Sequence, residues 1–553
     1  MKNYFVLLLT TIVIINACNR SPKQKPKQVV LVTHPELINE KVSELITKRL
    51  GKDPSQTLII ANDTLFATKF IIDFYKQKKF NVCWIDKGIL RKQGYTLLNI
   101  IYKAHEYGLI PDDYHYHKID SLIKTAKDSV TRRFNAVKIS EADLLLTDAF
   151  LTFAVHINKG RLNPDSLTRE WKASQLDTSI VSILDSAFTN NYIRAAIDSL
   201  EPKNIPYQNF KLALKNFKTE FKNSDWDSLQ SKESDSITFK DRLKKRLIAS
   251  HDYFEEFDGS DSIKLLKAIK NFQCRHKLIE DGKIGKLTFK ALQRTKQDYI
   301  RQIELNMERW RWKNPPKDKQ FVWVNIPKYE MHVIEEDTVV MRSRVIVGSL
   351  KTTTPLLKST IRYFLIYPYW TVPLSIATKE ILPILKRDTS YLRRKNFEVL
   401  DRNNNVVTTP INWKIYNKNY FPWKLRQSIG EDNSLGILKF NFYSKYGVYM
   451  HDTDNRRLFN REMRALSHGC IRLEKFIDFA KFLIRDDSLN YPVDSLMLDL
   501  LEEKQKYIYI KHPIPIYINY FTAEVDETNA LYYFIDVYKH DEKMLKALYG
   551  KYF

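Results

Sequence analysis

"SHGCIRL", residues 467–473, sets a cysteine behind a histidine and a glycine and two positions ahead of an arginine. The chain has 553 residues and 4 cysteines, so the placement carries information. A structural cysteine packs like a small hydrophobe and needs no such neighbours. A nucleophilic one does, because the thiolate is the reacting species and positive or hydrogen-bonding neighbours lower its pKa. Upstream, His451 closes a strand-like run in "YGVYMHDTD" (446–454). A cysteine nucleophile needs a base within hydrogen-bond reach, and that base needs a third group to hold its tautomer. The loop "DTDNRRLFNREMRAL" (452–466) is long enough to let two strand ends face each other. Alone, His451 reads as a polar strand end and Cys470 as core. Together, with Ser467, His468, Gly469 and Arg472 clustered around the cysteine, they read as a catalytic pair.

Working outward, the pattern on the N-terminal side has period two. "FVWVNIPKYEMHVIEEDTVVMRSRVIVGS" (321–349), "IRYFLIYPYWTVP" (361–373) and "GILKFNFYSKYGVYMHD" (436–452) carry alternating and β-branched residues broken by turn signals. They predict a mainly-β catalytic domain over 320–500. An insertion at about 378–434 opens on the helical "TKEILPILKRD" and then turns polar and aromatic. An insertion of that length in a β-domain predicts a helical lid over the site. "EKFIDFAKFLI" (474–484) reads as a helix. "PIPIYINYFTAEVDETNALYYFIDVY" (513–538) reads as a hairpin turning at 526–529, so residues 501–553 are expected to pack onto the catalytic domain.

The first half is helical. "GYTLLNIIYKAHEYGLI" (94–110) and "EADLLLTDAFLTFAVHINKGRL" (141–162) repeat apolar residues at three- and four-residue spacing and stop at Gly108 and Gly160. No residue pair there suggests chemistry, so residues 60–235 are expected to form a helical scaffold. A polar stretch at 223–236 marks a boundary. Next, "LLKAIKNFQCRHKLIEDGKIGKLTFKALQ" (265–293) reads as helix, tight turn and helix. Its Ala268, Phe272, Gln273, His276, Leu278, Asp281, Gly282, Gly285, Thr288 and Leu292 resemble the small three-helix peptidoglycan-binding module of wall enzymes, placed at 245–295. The fold class expected is therefore α+β and multidomain.

The N-terminus bears on compartment. "MKNYFVLLLTTIVIINACNR" (1–20) has Lys2, then an apolar run from Tyr4 to Ile15, too short to span a bilayer. The residues before Cys18 resemble a lipobox, which predicts a lipoprotein signal peptide at 1–17 and lipid on Cys18. The alternative is an ordinary signal peptide that contains a cysteine. Residues 18–59 would be tether and linker, its start basic and proline-bearing. The chain is then expected in the cell envelope on the periplasmic side, lipid-anchored, with the outer membrane favoured. A net charge of +24 predicts an anionic partner. Lipid head groups and wall-peptide carboxylates suit an exported chain; nucleic acid does not, and no tight basic block with interleaved aromatics is present. Hydrophobic content of 44 % with 13 % aromatics excludes a disordered chain. Cys83 reads as core, Cys274 as buried or idle, and a bridge between them is open. No Cys-x-x-Cys or His-Glu-x-x-His occurs, so neither a metal nor another cofactor is expected. The chain is expected to be a monomer.

"HDT…SHGCIRL" resembles the signature of the L,D-transpeptidases. "CWIDKGILRKQGYTLLNIIYKAHEYGLIPDDYH" (83–115), "NMERWRW" (306–312), "TTTPL" (352–356), "YPYWTVP" (367–373) and "NSLGILKFNF" (433–442) extend the likeness to the large periplasmic subfamily. One departure is Ser428-Ile429, where the related pattern commonly has proline-glycine. The resemblance implies that His451 takes the Cys470 proton or stabilises a preformed thiolate. The backbone carbonyl or the carboxylate of Asp452 would orient the ring. Backbone N–H groups of Gly469 and Cys470 would hold the oxyanion. Arg472 would meet a substrate carboxylate or form a structural salt bridge, and Ser467 and His468 would shape the substrate cleft or support the turn. The substrates implied are peptidoglycan stem peptides: a tetrapeptide donor that loses D-alanine and an amine acceptor, joined in a 3–3 crosslink. A hydrolase with the same acyl-enzyme, and a silent wall-binding lipoprotein, are the rival readings.

Overall fold

The computed structural model describes residues 29–51, 58–128, 130–162, 164, 179–224, 226, 229, 236–487 and 490–550. The expected signal peptide and Cys18 lie outside the described residues. The described residues fall into two units. One lies within Met1–Tyr102, Pro111–Thr152 and Thr178–Arg194, the other within Lys103–Ile110, Phe153–Asp177 and Ala195–Phe553.

The first unit is helical, with helices at Pro35–Leu50, Thr68–Gln77, Lys92–Tyr102 and Tyr116–Thr125. Asp143 is fully buried there and gathers the backbone N–H groups of Cys83, Trp84 and Ile85 (3.1, 2.7 and 3.2 Å) and the Tyr75 hydroxyl (2.5 Å). Burial pushes its carboxyl up to about 6, against the pull of those donors.

The second unit begins with helix α1 (Ile205–Glu220), which the sequence reading placed in the scaffold. Its Tyr207, Phe210, Leu214 and Phe217 share a core with Tyr299, Ile303, Met307 and Trp310 of a later helix and with Phe521 and Tyr533. The expected 60–235 stretch thus contributes to both units, with the apolar face of α1 packed against residues of the C-terminal half. Three helices follow, α2 (Ser236–Ala249), α3 (Asp261–Arg275) and α4 (Lys286–Leu292), around Leu243, Leu247, Ala268, Phe272 and Leu292. Gln273 ties the turn between the last two. Its amide donates to Asp281, Thr288 and the Lys283 carbonyl, and its oxygen accepts from the Gly282 N–H (2.8 Å). Gly282 has φ +72°, and a Cβ there would stand 2.2 Å from Leu266, so the turn requires glycine.

Helix α5 (Lys296–Trp312) starts on a capping box of Thr295 and Asp298. It is buried along nearly its whole length, charged residues included. Glu308 accepts from the backbone N–H of Arg161 and Leu162 and pairs with Arg311 (2.9 Å); Arg309 pairs with Asp541; Asn306 exchanges two hydrogen bonds of 3.0 Å with Thr522.

The β-domain comprises β1 (Gln320–Asn325), β2 (Glu330–Glu335), β3 (Thr338–Gly348), β4 (Leu357–Ile366), β5 (Leu438–Phe442), β6 (Met450–His451), β7 (Ala465–Ser467), β8 (Ile471–Leu473) and β9 (Lys506–Asn519). Their order is β7-β3-β8-β6-β5-β4-β9-β1-β2, and β2 pairs back onto β3, closing the sheet. Inward residues such as Val322, Met331, Phe364, Phe440, Met450 and Ile471 form one core with helix α6 (Phe476–Ile484). The fold is α+β, as the sequence reading has it.

Two boundaries differ from expectation. Residues 501–553 do not merely pack on a finished domain, because β9 lies between β4 and β1. Only Ala523–Val525 and Leu531–Tyr533 form the hairpin. Ile508, Ile510, Ile514, Ile516 and Ile518 point into the barrel core, and the register against β4 slips beside Pro513. The insertion is also more than a helical flap. It has a three-stranded sheet (Trp370–Thr371, Lys424–Gln427, Phe397–Leu400) over its own core of Val372, Leu382, Leu385, Trp413 and Leu425. At the departure site, Gly430 supplies a φ of +138° one residue after Ile429.

Candidate active site

Strand periodicity decides which side chains share a face. In β6 and β8, which run parallel, Met450 pairs with Ile471 and His451 with Arg472. Met450 and Ile471 are fully buried in the barrel core. Their sequence neighbours therefore face the other way, and His451, Arg472 and Cys470 share that face. On the far side of β6, Lys439 of β5 pairs with His451 and joins the same face. Cys470 immediately precedes β8, so the structure turns His451 and Cys470 toward the same face of two neighbouring strands.

Burial and the positive neighbours Arg472 and Lys439 hold His451 neutral, its pKa lowered to about 3. Burial also pushes the Cys470 thiol up, opposed by the backbone and hydroxyl of Tyr449 and by Lys439 and Arg472. The resting pair is a neutral imidazole and a neutral thiol. Nδ1 of His451 is buried and makes no hydrogen bond of normal geometry, although the Asp452 and Leu435 carbonyls act on the ring to favour its protonated form.

The cysteine loop is braced from below. Ser467 is buried; its hydroxyl donates to the Cys470 carbonyl (2.6 Å) and accepts from the Gly469 N–H (3.1 Å). Gly469 has φ +117°, open to glycine, and its carbonyl accepts from Thr354 (2.8 Å). Thr354 also takes the Gly348 N–H, and Tyr538 bonds both to the Gly348 carbonyl and to the Thr354 N–H. The Gly469 N–H is therefore committed within the loop.

The remaining expected residues take distinct places. The Asp452 carboxylate, fully buried, receives Arg456 (2.8 and 3.2 Å) and the Ile437 N–H (3.1 Å), so it is spent away from the imidazole. Arg472 reaches Thr453 at 3.3 Å; its Nε is buried without a partner, and among the described residues it has no carboxylate within 4 Å. His468 is exposed and meets Glu380 of the insertion at 2.7 Å. Cys83, Cys274 and Cys470 are all free thiols.

The family described as the L,D-transpeptidase catalytic domain matches residues 319–493, the span that holds this pair. This stretch is an L,D-transpeptidase catalytic domain. A second family, described as a scaffold domain, matches residues 69–214. A Haemophilus influenzae protein that bears the name L,D-transpeptidase is 34 % identical over 224 residues. The match covers 40 % of this chain and 45 % of that protein, so it spans less than half the length of its relative.

Within the transpeptidase domain, sequence reasoning missed Tyr449, Lys439 and Trp370. Tyr449 stands two residues before His451, so the period of two already assigns it to the same face. Its hydroxyl meets the Cys470 sulfur and the Trp370 indole, its ring lies edge-on to His451 at 5.6 Å, and Lys439 Nζ sits 4.0 Å over it. Because the Tyr449 hydroxyl favours the thiolate, Tyr449→Phe is expected to slow iodoacetamide labelling of Cys470 at pH 8 by about three- to tenfold. Peptide mass mapping reads this directly, with half-buried Cys274 as internal control.

Proposed function

We propose that the chain is a cysteine-dependent L,D-transpeptidase that forms 3–3 crosslinks in peptidoglycan and releases D-alanine. The observation that carries the reading is the shared face of His451, on β6, and Cys470, immediately before the parallel neighbour β8, both neutral at rest. A neutral pair suits general-base activation. His451 removes the thiol proton as Sγ attacks the carbonyl of the third residue of a tetrapeptide stem. The C–N bond to D-alanine breaks, His451 returns the proton to the leaving amine, and a thioester remains. A side-chain amine of a second stem then attacks, forms the new amide and regenerates the thiol.

The Gly469 N–H already serves Ser467, which leaves the Cys470 N–H as the backbone donor for the oxyanion. One such donor contributes about 3 kcal/mol. Arg472, whose Nε is buried without a hydrogen-bond partner, suits a carboxylate of the stem. Ser467 acts as a brace for the loop, and His468 with Glu380 borders the cleft where the insertion meets it. Asp452 orients His451 through its backbone, since its carboxylate holds Arg456. The helices α2 to α4 serve as the wall-binding module. Incubation of the protein with tetrapeptide muropeptides, followed by mass analysis, tests the reaction. Dimers that have lost one D-alanine support it; tripeptides alone mean a hydrolase; unchanged muropeptides mean a binding protein.

The same proposal places the chain in the cell envelope, held on the periplasmic side by lipid on Cys18. No described helix is long and apolar enough to cross a membrane. Cys18→Ser is expected to move the protein from the membrane fraction to the soluble one, or to leave it uncleaved, with the activity of the folded part retained. Retention of the cleaved variant in salt-washed membranes would show another anchor.

A further inference from the structure

The face that holds His451 and Cys470 continues across a third strand. Arg472 on β8, His451 on β6 and Lys439 on β5 stand opposite one another in register. Strand order places β6 between the other two, so a cation flanks His451 on each side. Both cations are half-buried. Lys439 leans back toward the thiol: its Nζ lies 4.0 Å over the ring of Tyr449, whose hydroxyl meets the Cys470 sulfur.

The carboxylates nearby are engaged elsewhere. Asp452 holds Arg456, Glu380 meets His468, and Asp454 accepts from Thr453 and acts on Arg472 from beyond 4 Å. Among the described residues Lys439 has no carboxylate within 4 Å, and the charge that acts on it is that of the Cys470 sulfur. A ring face engages one side of an ammonium group that has three N–H donors, so Lys439 keeps donors to give. Burial disfavours its charge, and a bound carboxylate would offset that penalty.

Strand order gives the two cations different work. His451 hands its proton to the departing nitrogen, so the leaving residue lies over His451 while the retained stem stays on the Cys470 side. The leaving residue's carboxylate, two bonds from that nitrogen, then falls beyond His451, over β5. Arg472 is on β8, which Cys470 leads into, and so stands on the side of the retained stem. We propose that Lys439 binds the terminal carboxylate of the leaving D-alanine and so confines cleavage to the last residue of the stem. The inference rests on the transpeptidase reading above and names the residue that reads the donor's end. A stem one residue longer carries its carboxylate about 3.5 Å further on, past Lys439. Lys439 also favours the Cys470 thiolate, an effect that does not depend on the donor's end.

The test follows acylation of Cys470 in the full chain by intact mass, in single turnover at subsaturating donor. Two tetrapeptide donors are compared that differ only at the end, one a free carboxylate and the other a carboxamide. The native chain is expected to acylate faster with the acid by about tenfold or more. Lys439→Met is expected to erase that preference, and Lys439→Arg to restore part of it. Arg472→Ala is expected to slow both donors alike. Uncharged iodoacetamide reads the separate effect on the thiol, which lowers both donors equally and leaves the acid-to-amide ratio unchanged. A native chain indifferent to the donor's end, or a Lys439→Met chain that keeps the preference, overturns the proposal and leaves the transpeptidase reading standing. If neither donor forms a thioester on a chain that still labels with iodoacetamide, the transpeptidase reading falls and the proposal falls with it.

Discussion

Cys470→Ala is expected to abolish crosslinking and acyl-enzyme formation together. Removing the nucleophile leaves binding and the oxyanion donor in place but no atom to form the thioester. Neither remaining thiol can substitute. Cys83 is buried in the other unit, where burial and Asp143 push its thiol up, and Cys274 sits on α3, where partial burial and then Glu280 disfavour its thiolate. Intact-mass spectrometry with a carbapenem should show one adduct on the native chain, on the peptide containing Cys470, and none on the variant. Crosslinking by Cys470→Ala protein, or an adduct mapped to Cys83 or Cys274, would sink the assignment.

His451→Ala is expected to lower the rate of acylation by at least about 10²-fold, the scale for losing a general base. The pH dependence distinguishes how the histidine acts. Burial with Arg472 and Lys439 nearby lowers His451 to about 3, so the imidazole stays neutral at every pH above that. The thiol is raised, so at pH 7 the thiolate fraction of Cys470 is smaller than that of a free cysteine. Alkylation of Cys470 should therefore climb with pH through and beyond the ordinary thiol range, with no step near pH 6 to 7. A rate already at its plateau at pH 6 would mean a preformed thiolate–imidazolium pair instead.

Much of the site was legible because it is local. Ser467 to Arg472 are consecutive, and a reactive thiol needs neighbours that the backbone itself supplies. The strands were legible for a similar reason: a pleat buries alternate residues, so "GILKFNF" states its own inward face. The Gln273 turn follows from spacing alone, since Asp281, Gly282 and Thr288 lie within one helix-turn-helix of the glutamine.

What the sequence could not specify is which distant segments meet. Alternation makes Lys506–Asn519 a strand but does not say that it fits between β4 and β1, because pairing depends on partners far along the chain. Glu308, Arg309 and Arg311 are charged residues on one helix, yet all three are buried. Their partners, the Arg161 and Leu162 amides and Asp541, come from remote positions, and a buried charge persists only where such partners are supplied. The same holds at the chemistry. Asp452 stands beside His451 in sequence, but Arg456 and the Ile437 amide take its carboxylate, while Tyr449 and Lys439, unremarkable in a list of residues, face the thiol. The sequence alone singled out Cys470 and His451 as the proposed nucleophile and base, and the period that puts their neighbours on strands. Tertiary structure decided the charge each carries at rest, since burial and the field of Arg472 and Lys439 exist only once β5, β6 and β8 lie side by side.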